Sequence, residues 1–201
     1  MVFRDVITRE NIYWKFLPYE TIWEYKLGII HLNDLGFKVK AIVCDGRRGI
    51  FQAFPNIPIQ MCQFHQVAIV TRYLTRNPKL EASIELTSIV RKLKCTDENS
   101  FKGMLIKWEQ KWINFMKERT INEETKKWSY THRRLRSAYF SLIHNIEHLF
   151  TNQKYPNLSI PNTTNGLEGI FTDVKTNVRV HKGIQIENKQ KLINELLKNK
   201  K

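Results

Sequence analysis

The stretch AIVCDGRRGIFQAFPNIPIQMCQFHQ, residues 41–66, decides how this chain is read. Its first part belongs to a β-branched run, VKAIVC at 39–44, that is apolar on both sides at its centre. That is the pattern of a strand covered on both faces. The run delivers one carboxylate, Asp45, into a turn containing Gly46, Arg47 and Arg48. A short helix at 48–54, a proline-bounded turn and a second buried strand at 58–62 follow. The second strand ends in Cys62-Gln-Phe-His65. An acid at the tip of one strand and a Cys-x-x-His at the tip of the next pose a question of chemistry.

Working outward, residues 1–6 (MVFRDV) and 11–17 (NIYWKFL) read as strands joined by a polar hairpin turn. Apolar positions between Glu20 and Leu35 fit a mostly buried helix stopped by Gly36. Strand, helix, strand, short helix, strand is an α/β layout. After His65 the pattern becomes helical. Residues 65–76 form one segment. Asn77-Pro78 reads as a cap followed by proline in the first turn of a helix carrying Leu80, Ile84, Ile89 or Val90, and Leu93. The acid-rich Thr96-Asp-Glu start leads to Leu105, Trp108, Trp112 and Phe115 at core spacing. Thr131 opens a helix with Leu135, Ala138, Tyr139, Leu142, Ile146 and Leu149 inward. Residues 65–150 are therefore expected as an all-helical block set into an α/β chain. After a loop at 155–165, a helix at 163–179 turns Leu167, Phe171, Val174 and Val178 inward. The tail, 185–201, reads as weakly amphipathic, Lys-rich and frayed.

The 201 residues suit one domain, with or without an insertion. Lysine and arginine number 33 against 19 acids, a formal charge of +14 that favours a polyanionic partner, most simply DNA or RNA. Three cysteines, Cys44, Cys62 and Cys95, make no disulfide framework, and no signal peptide or bilayer-length apolar run is present. The expectation is a soluble intracellular protein in a reducing compartment.

Asp45 stands at the carboxyl end of an expected central strand, the edge where α/β sheets gather their ligands. It also has the residue type of an N-cap for the helix near Arg47. Glu168 shares a helix face with Thr164, Asn165, Thr172, Lys175 and Arg179, a setting for a metal beside a phosphate or an ordinary solvated acid. Cys62 and His65, with Cys44, invite a zinc reading that lacks a fourth ligand; otherwise Cys62 packs and His65 hydrogen-bonds at a helix start. The run Lys126-Lys-Trp-Ser-Tyr-Thr-His-Arg-Arg-Leu-Arg136 interleaves cations with aromatic rings, as backbone-binding patches with stacking platforms do. Placed at a helix start, those cations oppose the macrodipole.

AIVCDGRRGIFQAF, PIQMCQFHQ, YLTRNPKLEAS, YTHRRLRSAY and IPNTTNGLEGIFTDVKTNVRVHKG, taken in order, resemble the Mutator-type DDE transposases of bacterial insertion sequences. The resemblance runs from about Val2 to Gly183. It implies a ribonuclease H-like mixed sheet with a helical insertion before the final catalytic helix. The core strands would lie in 1–64, the insertion in 65–154, the glutamate loop and helix in 155–184, and a basic tail in 185–201. It implies that Asp45 and Glu168 are catalytic metal ligands, with Cys62 and His65 supporting the site, and two Mg²⁺ ions for phosphodiester cleavage and strand transfer. It implies DNA contacts through Arg47, Arg48, Lys126, Lys127, Arg133, Arg134, Arg136, Lys175 and Arg179.

The family's first Asp lies on the first, central strand, upstream of MVFRDV. Asp5, at the wrong end of the wrong strand, does not replace it. The chain is therefore expected to be an N-terminally truncated transposase, inactive alone. Its expected partners are transposon-end and target DNA and further copies or full-length transposase. The expected location is the bacterial cytoplasm at the nucleoid, with no membrane. The competing readings are a non-enzymatic DNA-binding remnant that occupies DNA or interferes with full-length enzyme, a zinc-stabilised module, and an unrelated ribonuclease H-like nuclease.

Overall fold

A computed structural model describes residues 1–199. In chain order the elements are β1 (Val2–Arg4), β2 (Asn11–Trp14), α1 (Ile22–Asp34), β3 (Ile42–Cys44), α2 (Ile50–Ala53), β4 (Ile59–Met61), α3 (Gln63–Leu74) and α4 (Glu81–Arg91). There follow α5 (Glu98–Lys117), β5 (Arg119–Ile121), β6 (Trp128–Tyr130), α6 (Arg133–Leu149), α7 (Thr151–Lys154), α8 (Asn165–Val180) and α9 (Ile186–Lys198). The α/β class read from the sequence is found, with small sheets: β1 pairs with β2, β3 with β4, and β5 with β6. The chain divides into two compact units. One holds Met1–Ile42, Arg48–Ile57 and the segment from Thr164 onward; the other holds Val43–Arg47 and Pro58–Thr163.

In the first unit β1 and β2 form the expected hairpin, with Phe3 opposite Tyr13 and Val2 opposite Trp14. Its core is Ile170, Val174 and Leu197, against which Val2, Trp14, Val178, Ile193 and Leu196 pack. The tail read as frayed is thus a packed helix over Ile186–Lys198, while residues 200 and 201 of that reading lie outside the described residues. Its apolar residues recur at Ile193, Leu196 and Leu197, and a single stripe at that spacing suffices once a hairpin covers it. Two hydrogen bonds fix the contact: the Asn11 amide donates to the Leu197 carbonyl at 2.8 Å and the Trp14 indole to Asn194 Oδ1 at 2.8 Å. In α8, Ile170 joins Val174 as the buried pair, while Leu167, Phe171 and Val178 are half-buried. Helix α1 is capped by the Thr21 hydroxyl, which accepts from the Glu24 N–H. The expectation that α1 is mostly buried fails. Only Gly28, Ile29 and Leu32 are buried, and Trp23 is 64% exposed. Apolar content without regard to facing overstated its burial.

The second unit is built on α3, α4, α5 and α6. All six apolar positions expected inward on α6 are buried. Trp108 is buried, stacks on Tyr139 at 5.2 Å and donates its indole N–H to the Ala82 carbonyl. Asp97 caps α5 by accepting from the Ser100 N–H at 2.9 Å, so the acid-rich start was read correctly. On α4 the expected face was right at its C-terminal end, where Val90 and the following Leu93 are buried, and wrong at its start, where Leu80 and Ile84 are exposed and Ala82, Ser83 and Leu86 are buried instead. The all-helical expectation for 65–150 also fails. β5 and β6 form an antiparallel hairpin pairing Arg119 with Tyr130 and Ile121 with Trp128. Strands of three residues carry too little alternation to outweigh the helical pattern on either side.

A buried set of glutamines joins β4 and α3 to the end of α6. Gln60 and Gln63 both donate side-chain N–H groups to the Leu149 carbonyl at 2.9 Å. Gln60 Oε1 accepts from the Asn152 N–H at 2.8 Å, and Thr151 Oγ1 donates to the Ile59 carbonyl at 2.8 Å. Gln66 donates to Ser141 Oγ and accepts from the Asn145 amide. A helix leaves its last carbonyls without intrahelical partners, and a buried one must be met elsewhere. The glutamines do this for Leu149.

Two expectations follow. Gln60→Ala exposes no new surface but leaves the Asn152 N–H bare and weakens the Leu149 contact. Each bare buried group costs about 1–3 kcal/mol, so the urea midpoint should fall by the equivalent of about 2–4 kcal/mol at unchanged m. An unchanged midpoint would show the network to be idle. The second concerns acid. Burial holds His148 below its usual 6.5, partly opposed by a backbone hydrogen bond with Ile59. The unfolded chain therefore takes up that proton first. The stability from neutral His148 is complete above pH 6.5 and is lost as pH falls below it. Glu85 is held below the usual carboxylate range by the Lys111 ammonium and the Trp112 indole, so its contribution disappears at lower pH still. Urea midpoints measured from pH 7 to 4 should decline in two stages, and His148→Asn should flatten the upper one.

Candidate functional site

The turn that follows β3 is set by close packing. Gly46 has φ +83°, and a Cβ there would lie 2.5 Å from Met61 Cε. Glycine is required on both counts, for the left-handed backbone and for the approach to a buried neighbour. The turn presents Asp45 at the surface, with its Oδ1 accepting from the Arg47 N–H at 3.1 Å. The N-cap reading of Asp45 is thereby corrected. Helix α2 starts at Ile50 with Gly49 as its cap residue and no side-chain cap. Asp45 instead closes a local turn of the kind aspartate favours.

Cys62 directly follows β4, is fully buried, and donates its N–H to the Cys44 carbonyl at 2.7 Å. It opens α3, and its carbonyl accepts the Gln66 N–H. His65 lies one turn along, half-buried, its ring 6.0 Å from that of Phe64 in edge-to-face contact. Burial pushes the Cys44 thiol up to about 11, eased by a backbone hydrogen bond at Gly46. A thiol buried in this way packs as a small apolar side chain.

Glu168 lies in the first turn of α8, in the first unit. The Thr164 hydroxyl donates to its Oε1 at 3.0 Å, and the Thr172 hydroxyl to its backbone carbonyl at 2.9 Å. A carboxylate there also suits the positive end of the helix. Lys175 and Arg179 are exposed further along the same helix.

The basic and aromatic segment is a strand and then a helix start. Lys126 and Lys127 are exposed in the hairpin turn, whose backbone is held by Asn122 accepting from the Glu124 and Thr125 N–H groups. Arg133 and Arg134 are exposed at the start of α6, and Arg134 donates to the Arg72 carbonyl at 2.8 Å. Arg136 is engaged further. It donates to the Met116 carbonyl at 3.0 Å and lies 3.7 Å over the Tyr130 ring. It braces the hairpin as much as it offers charge. The sequence reading missed Arg119, whose guanidinium sits 4.2 Å over the Trp128 ring. The signal was present. Trp128 and Tyr130 are two apart, the spacing that puts side chains on one face of a strand, and not of a helix.

Arg47 and Arg48 are exposed beside Asp45. Asp45, Cys62 and His65 thus belong to the second unit together with the hairpin, and Glu168, Lys175 and Arg179 to the first. Among the described residues no helix is long and apolar enough to cross a membrane. No protein-family model matches the chain, and no curated protein or solved structure matches it.

Thiol chemistry tests this description. Cys95 is exposed, whereas Cys44 and Cys62 are buried. With an aromatic disulfide reagent at pH 8, one thiol should react at once and two only on unfolding. Rapid reaction of all three would contradict the burial of Cys44 and Cys62.

Proposed function

We propose that this chain binds DNA and represents the catalytic-domain portion of a Mutator-type DDE transposase, with a ribonuclease H-like core. The observation that carries the DNA-binding part is the hairpin and the start of α6, where exposed Lys126, Lys127, Arg133 and Arg134 accompany exposed Trp128. Cations meet phosphates, and release of condensed counterions drives association. The net charge of +14 acts in the same direction. Transposon ends and target DNA are the proposed ligands, with further copies of the chain or full-length transposase as protein partners.

The chemistry rests on the ordered motif blocks. Asp45 and Glu168 are the proposed catalytic carboxylates and Mg²⁺ ligands, with Cys62 and His65 in support. The donor chemistry is compatible: both are carboxylates, and hard oxygen ligands suit Mg²⁺. Asp45 Oδ1 serves its turn, and Glu168 Oε1 accepts from the Thr164 hydroxyl. Mg²⁺ would supply charge stabilisation at the scissile phosphodiester. The protein's own part is to hold carboxylates on well-defined turns and to neutralise the backbone through Arg47, Arg48, Lys175 and Arg179. A second reading is a DNA-binding remnant without catalysis, which the same exposed cations support.

Binding to a blunt duplex should weaken steeply with salt. Replacing Lys126 and Lys127 by Gln should reduce the slope of log K against log salt by about 1–2. Salt-independent binding would overturn the DNA reading. DNA nicking with Mg²⁺ or Mn²⁺ above an Asp45→Ala control, and lost in Glu168→Ala, would overturn the expectation that the chain is inactive alone. Retained binding with no nicking is the outcome expected of a chain inactive alone; suppression of transposition by an intact transposase expressed beside it would then mark the remnant.

A further inference from the structure

Arg119, Ile121, Trp128 and Tyr130 project from one face of the β5–β6 hairpin, because residues paired across an antiparallel ladder share a face. On this face rings and guanidinium groups alternate. Arg136 lies against Phe140 at 5.2 Å and Tyr130 at 3.7 Å. Arg119 lies against Tyr130 at 5.5 Å and Trp128 at 4.2 Å. Trp128 also meets the Tyr130 ring edge-on at 5.5 Å. The series ends at Trp128, which remains 54% exposed, next to Ile121 at 64%. An indole held in place by a guanidinium and a ring edge, yet left open to solvent, is a pre-organised stacking plate.

The charge around it selects the partner. Between Lys117 and Arg136 seven cations accompany three acids. A flat, open aromatic surface with an excess of cations complements a nucleic-acid strand with an accessible base. It would repel cationic ligands. A blunt duplex offers phosphates to the cations all along its length but no unpaired base to the indole, since its interior bases are stacked on one another and its terminal bases are held in pairs.

We propose that Trp128 stacks an unpaired DNA base while the surrounding Arg119, Lys126 and Lys127 hold the adjoining phosphates. This rests on the DNA-binding reading above and adds a preference for single-stranded or overhanging DNA. Base–aromatic stacking contributes about 1–3 kcal/mol per base, or roughly 5- to 150-fold in affinity. It involves no charge neutralisation, so it should leave the salt slope untouched.

The test compares a labelled oligothymidylate, a duplex with a thymidine overhang and the same duplex blunt. The full chain is measured by fluorescence anisotropy at two salt concentrations. Wild type should prefer the first two ligands. Trp128→Ala should lose about tenfold on them and nothing on the blunt duplex, with an unchanged salt slope. Trp128→Phe, which keeps a ring, should recover most of the loss. Equal loss on all three ligands, or no loss on any, would overturn the stacking role while leaving salt-dependent duplex binding standing. Absence of binding to every ligand by wild type would overturn the DNA reading and this inference together. Circular dichroism of both variants separates a lost plate from a lost hairpin. If Trp128→Ala unfolds the hairpin, the Phe variant decides: a preference for unpaired DNA that does not survive with the ring restored refutes the proposal.

Discussion

One carbonyl at the end of α6 organises the second unit. The chain leaves β4 at Met61, runs through four helices and a hairpin, and returns at Leu149. There the carbonyl of Leu149 is held by the amides of Gln60 and Gln63, 89 and 86 residues earlier in the chain. Hydrophobic burial brings α6 against α3 and is non-directional. It does not say where along α3 the helix must stop. The two amides do, since a hydrogen bond weakens steeply with misalignment and a buried unmet carbonyl is costly. Thr151 and Asn152 extend the same lock onto β4. The loop beyond it is tied in as well, through Asn162, which accepts from the Gln63 N–H and donates to Gln63 Oε1.

This explains a misplaced emphasis in reading PIQMCQFHQ. Cysteine and histidine drew attention because their chemistry is distinctive. The glutamines at 60, 63 and 66 look like solvent-facing residues, since glutamine is mostly exposed. Their burial is set by partners that lie 75 to 99 residues away in sequence. No local pattern contains that information. By contrast, α6 was legible down to each inward residue, because a long helix with a polar outer face repeats its signal over several turns. The β1–β2 hairpin was legible for its aromatic and β-branched content. The facing of α4 was legible at Val90 and not at its start. A short stripe that includes Ala82 and Ser83 carries a weak hydrophobic signal, and the more apolar Leu80 and Ile84 point outward.

The positions read as site residues show the same division. Asp45 was placed correctly at the end of a strand, since a β-branched run followed by Asp-Gly is a strong local signal. What its side chain does was not legible, because turn closure and helix capping use the same aspartate chemistry. Glu168 was legible as a carboxylate on an α8 face with threonines, and the contacts with Thr164 and Thr172 follow from four-residue spacing.

The cations at the start of α6 present an electrostatic problem that the fold resolves. Arg133, Arg134 and Arg136 stand where the helix dipole is positive, an arrangement that opposes them by about 0.3–1 kcal/mol each. Two of them reach the opposite kind of terminus on neighbouring helices. Arg134 donates to the carbonyl of Arg72 in the last turn of α3, and Arg136 to that of Met116 in the last turn of α5. Those carbonyls are the negative ends of their helices and lack intrahelical partners. The mismatch on α6 therefore becomes a link that orders three helix ends around the base of the hairpin. Thr131 and His132 reinforce it, with the Thr131 N–H donating to the Glu118 carbonyl and His132 stacked on Phe115 at 3.6 Å. Because Arg136 is fixed from behind by Met116, it can hold Tyr130 from the front. The rigidity of the exposed aromatic face is thus inherited from helix termini that the sequence pattern alone places far apart.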